Sequence, residues 1–318
     1  MHGLKVPKKE GERVRQILLE QGLLVSDYKI KRDEPFLYFP VRKGLPGYDV
    51  VELSFDRRPA PPQSIKDYGA RSFDIIGDIA IVDIPEDSEE SKEEIAQILL
   101  QRKSIRTVVQ KGSAVKGELR TRILHNIGGE PKTETIHTEY GLRFKVDIST
   151  VYFNPRLATE RWRIAQNVTP REVITDMFCG VGPFSLMIAR FSCAEKIYAI
   201  DINPEAITLL KENLRINKIE NVIPILGDAR EEIKKVGSSD RIIMNLPQRA
   251  FEFLPEALKY GRIIHYYRVT ADIQEEIEKI KMVGCTMGMN PVVLAYKPVK
   301  SYSPTMDIVR FDISTKGL

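Results

Sequence analysis

The side chains in this sequence that could do chemistry gather where four expected strands end. The first strand, 172–176, runs into Asp176-Met177-Phe178-Cys179-Gly180-Val181-Gly182-Pro183-Phe184. Glycines between a strand and a helix let the backbone approach a ligand, and a helix N-terminus favours electron-rich groups. A Gly-x-Gly turn joins strand to helix in many α/β proteins, and Gly182-Pro183 is also simply a good helix start. The next two strand ends discriminate further: 196–201 ends in Asp201, and 221–226 is followed by Asp228. Ligands of open α/β sheets bind outside the carboxyl ends of the strands. An acid after the second strand can take both hydroxyls of a ribose, and an acid after the third can accept from the exocyclic amine of adenine. A nicotinamide enzyme shares the first acid but must cradle a pyrophosphate, which Asp176 at the glycine loop would repel. S-Adenosylmethionine has no phosphate and fits all three acids. Asn203-Pro204 is a standard helix cap, so Asp201 also has a purely structural reading.

After the fourth strand stands Asn245-Leu246-Pro247-Gln248. Amine-directed methyltransferases place an Asn-Pro-Pro-aromatic or similar tetrapeptide here, its Asn side chain and adjacent carbonyl holding the target nitrogen. With Gln248 where the aromatic would be, another residue must stack on the base. A Leu-Pro turn after a strand is common enough to leave the motif, taken alone, at even odds.

Positioning these groups requires a regular alternation of strands and helices from residue 170 onward. Strands are expected at 172–176, 196–201, 221–226, 240–245, 262–268, 291–296 and 307–313. Helices are expected between them at 183–192, 204–217, 229–236, 249–259 and 272–283. Such alternation implies βαβ units and a mainly parallel sheet. The last two strands have no helix between them, so a hairpin must make one of them antiparallel. The fold class is α/β: a seven-stranded, Rossmann-like class I methyltransferase domain, with a small N-terminal α+β module and a β-rich middle domain.

In the first 56 residues, Val14, Ile17, Leu18 and Leu19 give one apolar helix face, with extended runs at 28–31 and 36–41. Arg57-Arg58-Pro59-Ala60-Pro61-Pro62 can form neither helix nor sheet interior and reads as part of a linker over 57–67. The middle domain, 68–165, is expected to hold a strand within 75–84, a helix at 88–101, and strands at 105–110, 119–124, 133–137 and 142–148. The last two of these strands turn at Tyr140-Gly141. The methyltransferase domain then spans 166–318.

The net charge of the 318-residue chain is only +4, but residues 100–165 carry 13 basic against 6 acidic side chains, which suits a phosphate-rich partner. On its own such a segment is more often a solvated face. Three cysteines without Cys-x-x-Cys spacing argue against a disulfide framework, and four scattered histidines against a structural zinc. No apolar stretch approaches the roughly 20 residues that span a bilayer, and the charged N-terminus does not read as a secretory signal. The expected setting is cytoplasmic, with no metal and no membrane.

Longer strings carry a resemblance. Val115-Lys116-Gly117-Glu118-Leu119-Arg120-Thr121-Arg122, Val151-Tyr152-Phe153-Asn154-Pro155-Arg156-Leu157-Ala158-Thr159-Glu160-Arg161, 176–185, 197–204, Met244–Pro247, 264–267 and 300–304 run along nearly the whole chain. With them the sequence resembles the archaeal and eukaryotic tRNA (guanine-37-N1) methyltransferases, especially the archaeal three-domain form. The Phe-x-Pro-Arg-Leu-x-x-Glu-Arg string followed by Asn-Leu-Pro is the specific part. The resemblance implies a tRNA substrate recognised at its anticodon loop and tertiary body by an enzyme acting as a monomer. It implies Glu160 as general base for the N1 proton of guanine, assisted by a pKa that partial burial would raise. It implies Arg120 stabilising the charge pushed onto O6, a role worth about a few kcal/mol. Asn245 would hold the base edge and Tyr152 would lie beside it. Arg161, Asp176, Phe178, Gly180, Gly182, Asp201, Ile202, Asp228, Ala229 and Asn245 would surround S-adenosylmethionine. Without the family pattern, Glu160-Arg161 reads as a surface pair, Arg120 and Arg122 as solvated strand residues, and Tyr152 and Phe153 as core.

Three other readings compete. A wyosine-pathway enzyme acting on position 37 uses the same cofactor for C7 methylation or aminocarboxypropyl transfer; Asn245-Leu246-Pro247 argues against the second. A nonenzymatic RNA-binding protein with a relict cofactor fold has no use for Glu160, Arg120 and Asn245 together. A nicotinamide oxidoreductase leaves Asp228 without a role.

Overall fold

A computed structural model describes residues 1–57, 64–85, 88, 91–112 and 124–315. Contacts divide the chain into two compact units, Met1–Gln63 and Ser64–Leu318. In the first, β1 (His2–Pro7), β2 (Lys31–Asp33), β3 (Phe36–Pro40) and β4 (Asp49–Glu52) form an antiparallel sheet in the order β2-β3-β1-β4. α1 (Gly11–Glu20) lays Val14 and Leu18 against Leu4, Val6 and Phe39 of that sheet. The sequence pattern located α1 and β3 but not β1 or β4, whose short, mixed compositions carry little period-2 signal.

In the second unit, β5 (Ser72–Ile76), β6 (Ile79–Asp83), α2 (Lys92–Leu100), β7 (Thr107–Lys111) and β8 (Leu124–Gly129) build a four-stranded sheet, order β5-β6-β7-β8. The strand expected across 75–84 is in fact a break between two: Gly77, at φ +57, and Asp78 turn the chain so that Ile76 pairs with Ile79. Of the strand expected at 119–124, only Leu124 lies within the described residues, where it opens β8.

β9 (Glu134–Glu139) and β10 (Leu142–Asp147) form a hairpin through Tyr140 and Gly141, both at positive φ. The ring of Tyr140 stacks on Trp162 at 4.8 Å, within α3 (Ala158–Gln166). The large sheet follows: β11 (Val173–Asp176), α4 (Pro183–Phe191), β12 (Lys196–Asp201), α5 (Pro204–Asn217), β13 (Val222–Leu226), α6 (Ala229–Val236) and β14 (Ser239–Met244). It continues with α7 (Leu254–Tyr260), β15 (Gly261–Thr270), α8 (Ile273–Thr286), β16 (Val292–Ser303) and β17 (Met306–Ser314). Strand order is β13-β12-β11-β14-β15-β17-β16, with β17 antiparallel to both neighbours. That is the seven-stranded arrangement expected from the alternation. One core cluster joins the sheet to α3, α4, α5 and β10; a second joins it to α6, α7 and α8.

Among the described residues β10 has a strand on one side only, yet its other edge is not left bare. Asn213 accepts from the Lys145 amide at 2.6 Å and donates to the Lys145 carbonyl at 3.1 Å. Asn217, one turn on, does the same to Arg143, at 2.9 and 2.7 Å. Asparagines at i and i+4 on α5 thus meet residues two apart on a strand, whose outward backbone groups need partners once buried. Asn213 also donates to the Val181 carbonyl at 3.1 Å, tying the hairpin to the glycine loop. The sequence-based boundary at 165/166 therefore runs through a shared core: the hairpin and α3 pack on the methyltransferase sheet.

Replacing Asn213 by alanine should leave those buried groups unpaired and cost about 1–3 kcal/mol. The check is a lowered midpoint of urea unfolding of the full chain.

Candidate active site

Strand ends on the parallel sheet expose backbone groups that a ligand can use, and the cleft opens there. It encloses about 1110 Å³, part of it open to solvent, and is lined from three directions. The glycine loop supplies Phe178, Gly180 and Pro183; the ends of β12, β13 and β14 supply Asp201, Ile202, Asp228, Ala229 and Asn245; residues 151–157 close it with Tyr152, Asn154 and Leu157.

Gly180, at φ +54, faces open space, where a Cβ would meet only the Tyr152 carbonyl at 3.8 Å. Its amide donates to Asp201 Oδ2 at 2.6 Å, and the Asn203 amide donates to Oδ1 at 2.9 Å. Each carboxylate oxygen keeps a second lone pair for a ligand hydroxyl. Asp228 caps α6 by accepting from the Arg230 amide at 2.8 Å through Oδ1, which leaves Oδ2 for a ligand amine. Ile202, 43 % exposed, and Phe178, edge-on to Phe253 at 4.8 Å, give apolar walls between the two acids.

Three expected cofactor residues serve differently. Gly182 does not line the cleft: at φ +90, a Cβ there would stand 2.4 Å from Leu210 and 2.6 Å from Leu186, so glycine lets the loop lie against α5. Asp176 lies behind the loop, its Oδ2 accepting from Ser185 at 2.8 Å and its Oδ1 buried without a partner among the described residues. Arg161 lines the cleft, but its guanidinium is engaged by Glu139 (2.9 Å from Nε) and by the Asn154 carbonyl at 3.1 Å. That buried pair fixes residues 151–157, and with them Tyr152.

Glu160 is not a surface residue, nor does its carboxylate line the cleft. It accepts from the Tyr267 hydroxyl at 2.8 Å, from Arg163 at 3.0 Å and from Arg310 at 3.3 Å. The sequence expected a carboxylate in a desolvating pocket; the structure gives one between two guanidiniums. Arg120 lies outside the described residues. Asn245, directly after β14, faces the cleft, and among the described residues its side-chain amide has no hydrogen-bond partner. Sequence reasoning missed Asn203, Arg230, Arg249 and Phe253, all of which line the cleft. Asn203 was visible only as a cap, and the others sit in segments without a motif.

The residues fit S-adenosylmethionine on the structure's own terms. Burial first, and the charge of Asp201 beside it, push Asp176 up to about 7, and burial also raises Asp201. Two carboxylates held in a site that disfavours their charge welcome a cationic ligand and reject a phosphate. The sheet order, the cleft at its carboxyl edge and this acidic glycine loop define a class I methyltransferase. Residues 135–290 match the TRM5/TYW2 methyltransferase domain, 3–49 the tRNA methyltransferase 5 N-terminal domain, and 60–133 the TYW2 N-terminal domain. The chain is 44% identical to the tRNA (guanine(37)-N(1))-methyltransferase Trm5b of Pyrococcus abyssi, across 97% of each chain. It superposes on the crystal structure of Trm5b from P. abyssi with a TM-score of 0.80 at 41% identity, covering 99% of each chain. A complex of aTrm5 with tRNALeu gives 0.73 at 35% identity, covering 99% of this chain and 100% of that one. The chain belongs to the TRM5/TYW2 methyltransferase family, whose cofactor is S-adenosylmethionine.

A cation binds the ionised form of Asp176 better, so cofactor binding draws that carboxyl below its free value near 7. Affinity should therefore fall about three- to tenfold from pH 7.5 to pH 6, one unit of linked shift being tenfold. Calorimetric titration with S-adenosylmethionine should show this slope, and Asp176→Asn should flatten it.

Proposed function

We propose that this chain transfers the methyl group of S-adenosylmethionine to N1 of guanine 37 in tRNA. The observation that carries the chemistry is Asn245: an amide with no hydrogen-bond partner among the described residues, at the end of the strand beside the glycine loop, in the same cleft as Asp201 and Asp228. An Asn side chain there can accept from and donate to the Watson–Crick edge of a base, which fixes the ring nitrogen against the methyl donor. The substrate is supported by the Trm5b relatives, which are named for guanine-37 N1 methylation and align over 97% of this chain.

Bound S-adenosylmethionine supplies an already activated methyl, so the chain's own task is to orient the base and remove a proton. Asp201 takes the ribose hydroxyls, Asp228 takes the adenine amine, and Ile202 and Phe178 cover the ring. Tyr152, set by the Arg161–Glu139 pair behind it, lies along the flipped guanine; a base must leave its stack for such chemistry. Glu160 takes the N1 proton. It stands next to Arg161 and three residues after Leu157, both of which line the cleft. Catalytic contacts tighten on substrate binding, so a seat outside the cleft before then is compatible with the role. Arg120 stabilises the charge that appears on O6. Residues 1–56 contact the tRNA body, and the basic residues of 100–165 contact phosphate.

The test is mass spectrometry of nucleosides from unmodified tRNA transcripts incubated with the protein and S-adenosylmethionine. 1-Methylguanosine from a transcript with guanine at position 37, and nothing from one with adenine there, is the expected outcome. A product bearing the aminocarboxypropyl group instead would overturn the reading in favour of the TYW2-type reaction.

A further inference from the structure

The Asn245-Leu246-Pro247-Gln248 turn is held by β15 and touched by β16. The Val269 amide donates to the Pro247 carbonyl at 3.0 Å, and Arg268 donates to the Gln248 carbonyl at 2.9 Å. The backbone of the fourth position is thereby fixed. Its side chain turns to a distant strand: Gln248 Nε2 donates to the Tyr302 hydroxyl at 2.6 Å, across a separation of 54 residues. Where amine-directed methyltransferases carry an aromatic side chain in the turn itself, this chain carries a glutamine that grips an aromatic ring brought from β16.

Tyr302 is not a core residue. It is 46 % exposed although its hydroxyl is already engaged, and β16 is the outermost strand of its sheet among the described residues. Leu246 and Tyr152 line the cleft, whereas Gln248 and Tyr302 do not. The ring therefore belongs to the rim of the cleft and leaves the base held inside it to Tyr152. Cations gather at the same rim. Arg249, the residue after Gln248, donates to Glu252 at 2.9 Å, and Arg230 donates to the same carboxylate at 3.1 Å. Hydrogen bonding from Arg249, and the charges of Arg249, Arg230 and Arg268, hold the Glu252 carboxyl below its usual range. Guanidiniums beside an exposed aromatic ring are the means by which proteins hold single-stranded RNA, the cations meeting phosphate and the ring meeting a base.

We propose that Tyr302 is a stacking platform for the nucleotide that adjoins the target in the tRNA strand, supplying from β16 the aromatic surface that the turn lacks. The proposal rests on the reading of this chain as a methyltransferase of guanine 37. Once the target base has left the stack, its neighbour has lost a stacking partner, and an aromatic face at the rim replaces it. Gln248 holds that ring by its hydroxyl, and Arg249 and Arg230 meet the backbone beside it. Every base offers a π face, so the contact contributes affinity for the opened loop rather than a choice of neighbouring base.

Binding and single-turnover methylation of guanine-37 tRNA transcripts by the full chain test this. Tyr302→Ala should weaken tRNA binding about five- to hundredfold, with S-adenosylmethionine affinity unchanged. Tyr302→Phe keeps the ring, loses the bond to Gln248, and should stay within about threefold of wild type. Equal losses in the Phe and Ala variants would reduce Tyr302 to a brace for the turn and overturn the proposal. Two transcripts, each lacking one base immediately before or after guanine 37, complete a double-mutant cycle. Removing the stacked base should weaken wild-type binding and add little to the loss already present in Tyr302→Ala. Tyr302→Ala binding within about twofold of wild type, or losses that add fully for both transcripts, would also overturn the proposal. The two levels separate on the intact transcript. No methylation of it by the wild type removes the reading of the function and this proposal with it. A methylating wild type beside an unaltered Tyr302→Ala removes only the proposal.

Discussion

The arrangement depends on two asparagine side chains standing in for a missing β-strand. β10 presents its outer backbone edge to α5, and Asn213 and Asn217 meet the amide and carbonyl of Lys145 and Arg143 in turn. An edge buried without such partners would cost about 1–3 kcal/mol for each group left unmade. With them, the hairpin becomes part of the methyltransferase domain. From there the connections run outward: β9 carries Glu139, Glu139 holds Arg161, and Arg161 holds the Asn154 carbonyl in the segment that closes the cleft over the glycine loop. Glu160, the neighbour of Arg161, is about 100° further round the same helix and is set against β15 and β17.

Two regions of unlike electrostatics thus lie on either side of α3. At the cleft, burial drives Asp201 upward, and behind the glycine loop it drives Asp176 upward too, while Arg161 is spent on Glu139. Such a site gains from a positively charged ligand. Around Glu160 the charges are balanced within the protein, Glu160 and Asp312 facing Arg163 and Arg310. The first arrangement suits binding of a sulfonium cofactor; the second holds its charges in place without one.

The terminal hairpin is the element that makes the second region possible. In a fully parallel sheet the neighbours of β15 would stagger their side chains differently. β17, entering antiparallel, puts Arg310 directly across from Tyr267 and Asp312 across from His265. The β15 and β17 side chains around Glu160 are therefore fixed by a strand-pairing register, which is hard to slip when Val309, Phe311 and Ile313 on the other face are buried.

Local chemistry gave the sequence its legibility. The period of the strands and helices from 170 onward, the glycine loop, and the acids after β12 and β13 are written in short spans, and the structure brings Gly180, Asp201, Asp228 and Asn245 into one cleft. The same spans misled where a residue had two local uses: Gly182 reads as a ligand contact and is a packing contact with Leu210, while Asn203 reads as a cap and also lines the cleft. The break at Gly77 hid inside a continuous apolar run, and the short strands β1 and β4 had too few residues to show a period. The seat of Glu160 lay beyond sequence reading altogether. Its partners stand 3, 107 and 150 residues away, and only the nearest is fixed by helical spacing. By itself the sequence determined the fold class and the ends of the strands at which a cofactor binds, because those follow from patterns within a few residues. Which carboxylates are paired, which are left open, and which charges share a buried space was decided only by the tertiary structure, because pairing across a sheet joins residues that no local pattern connects.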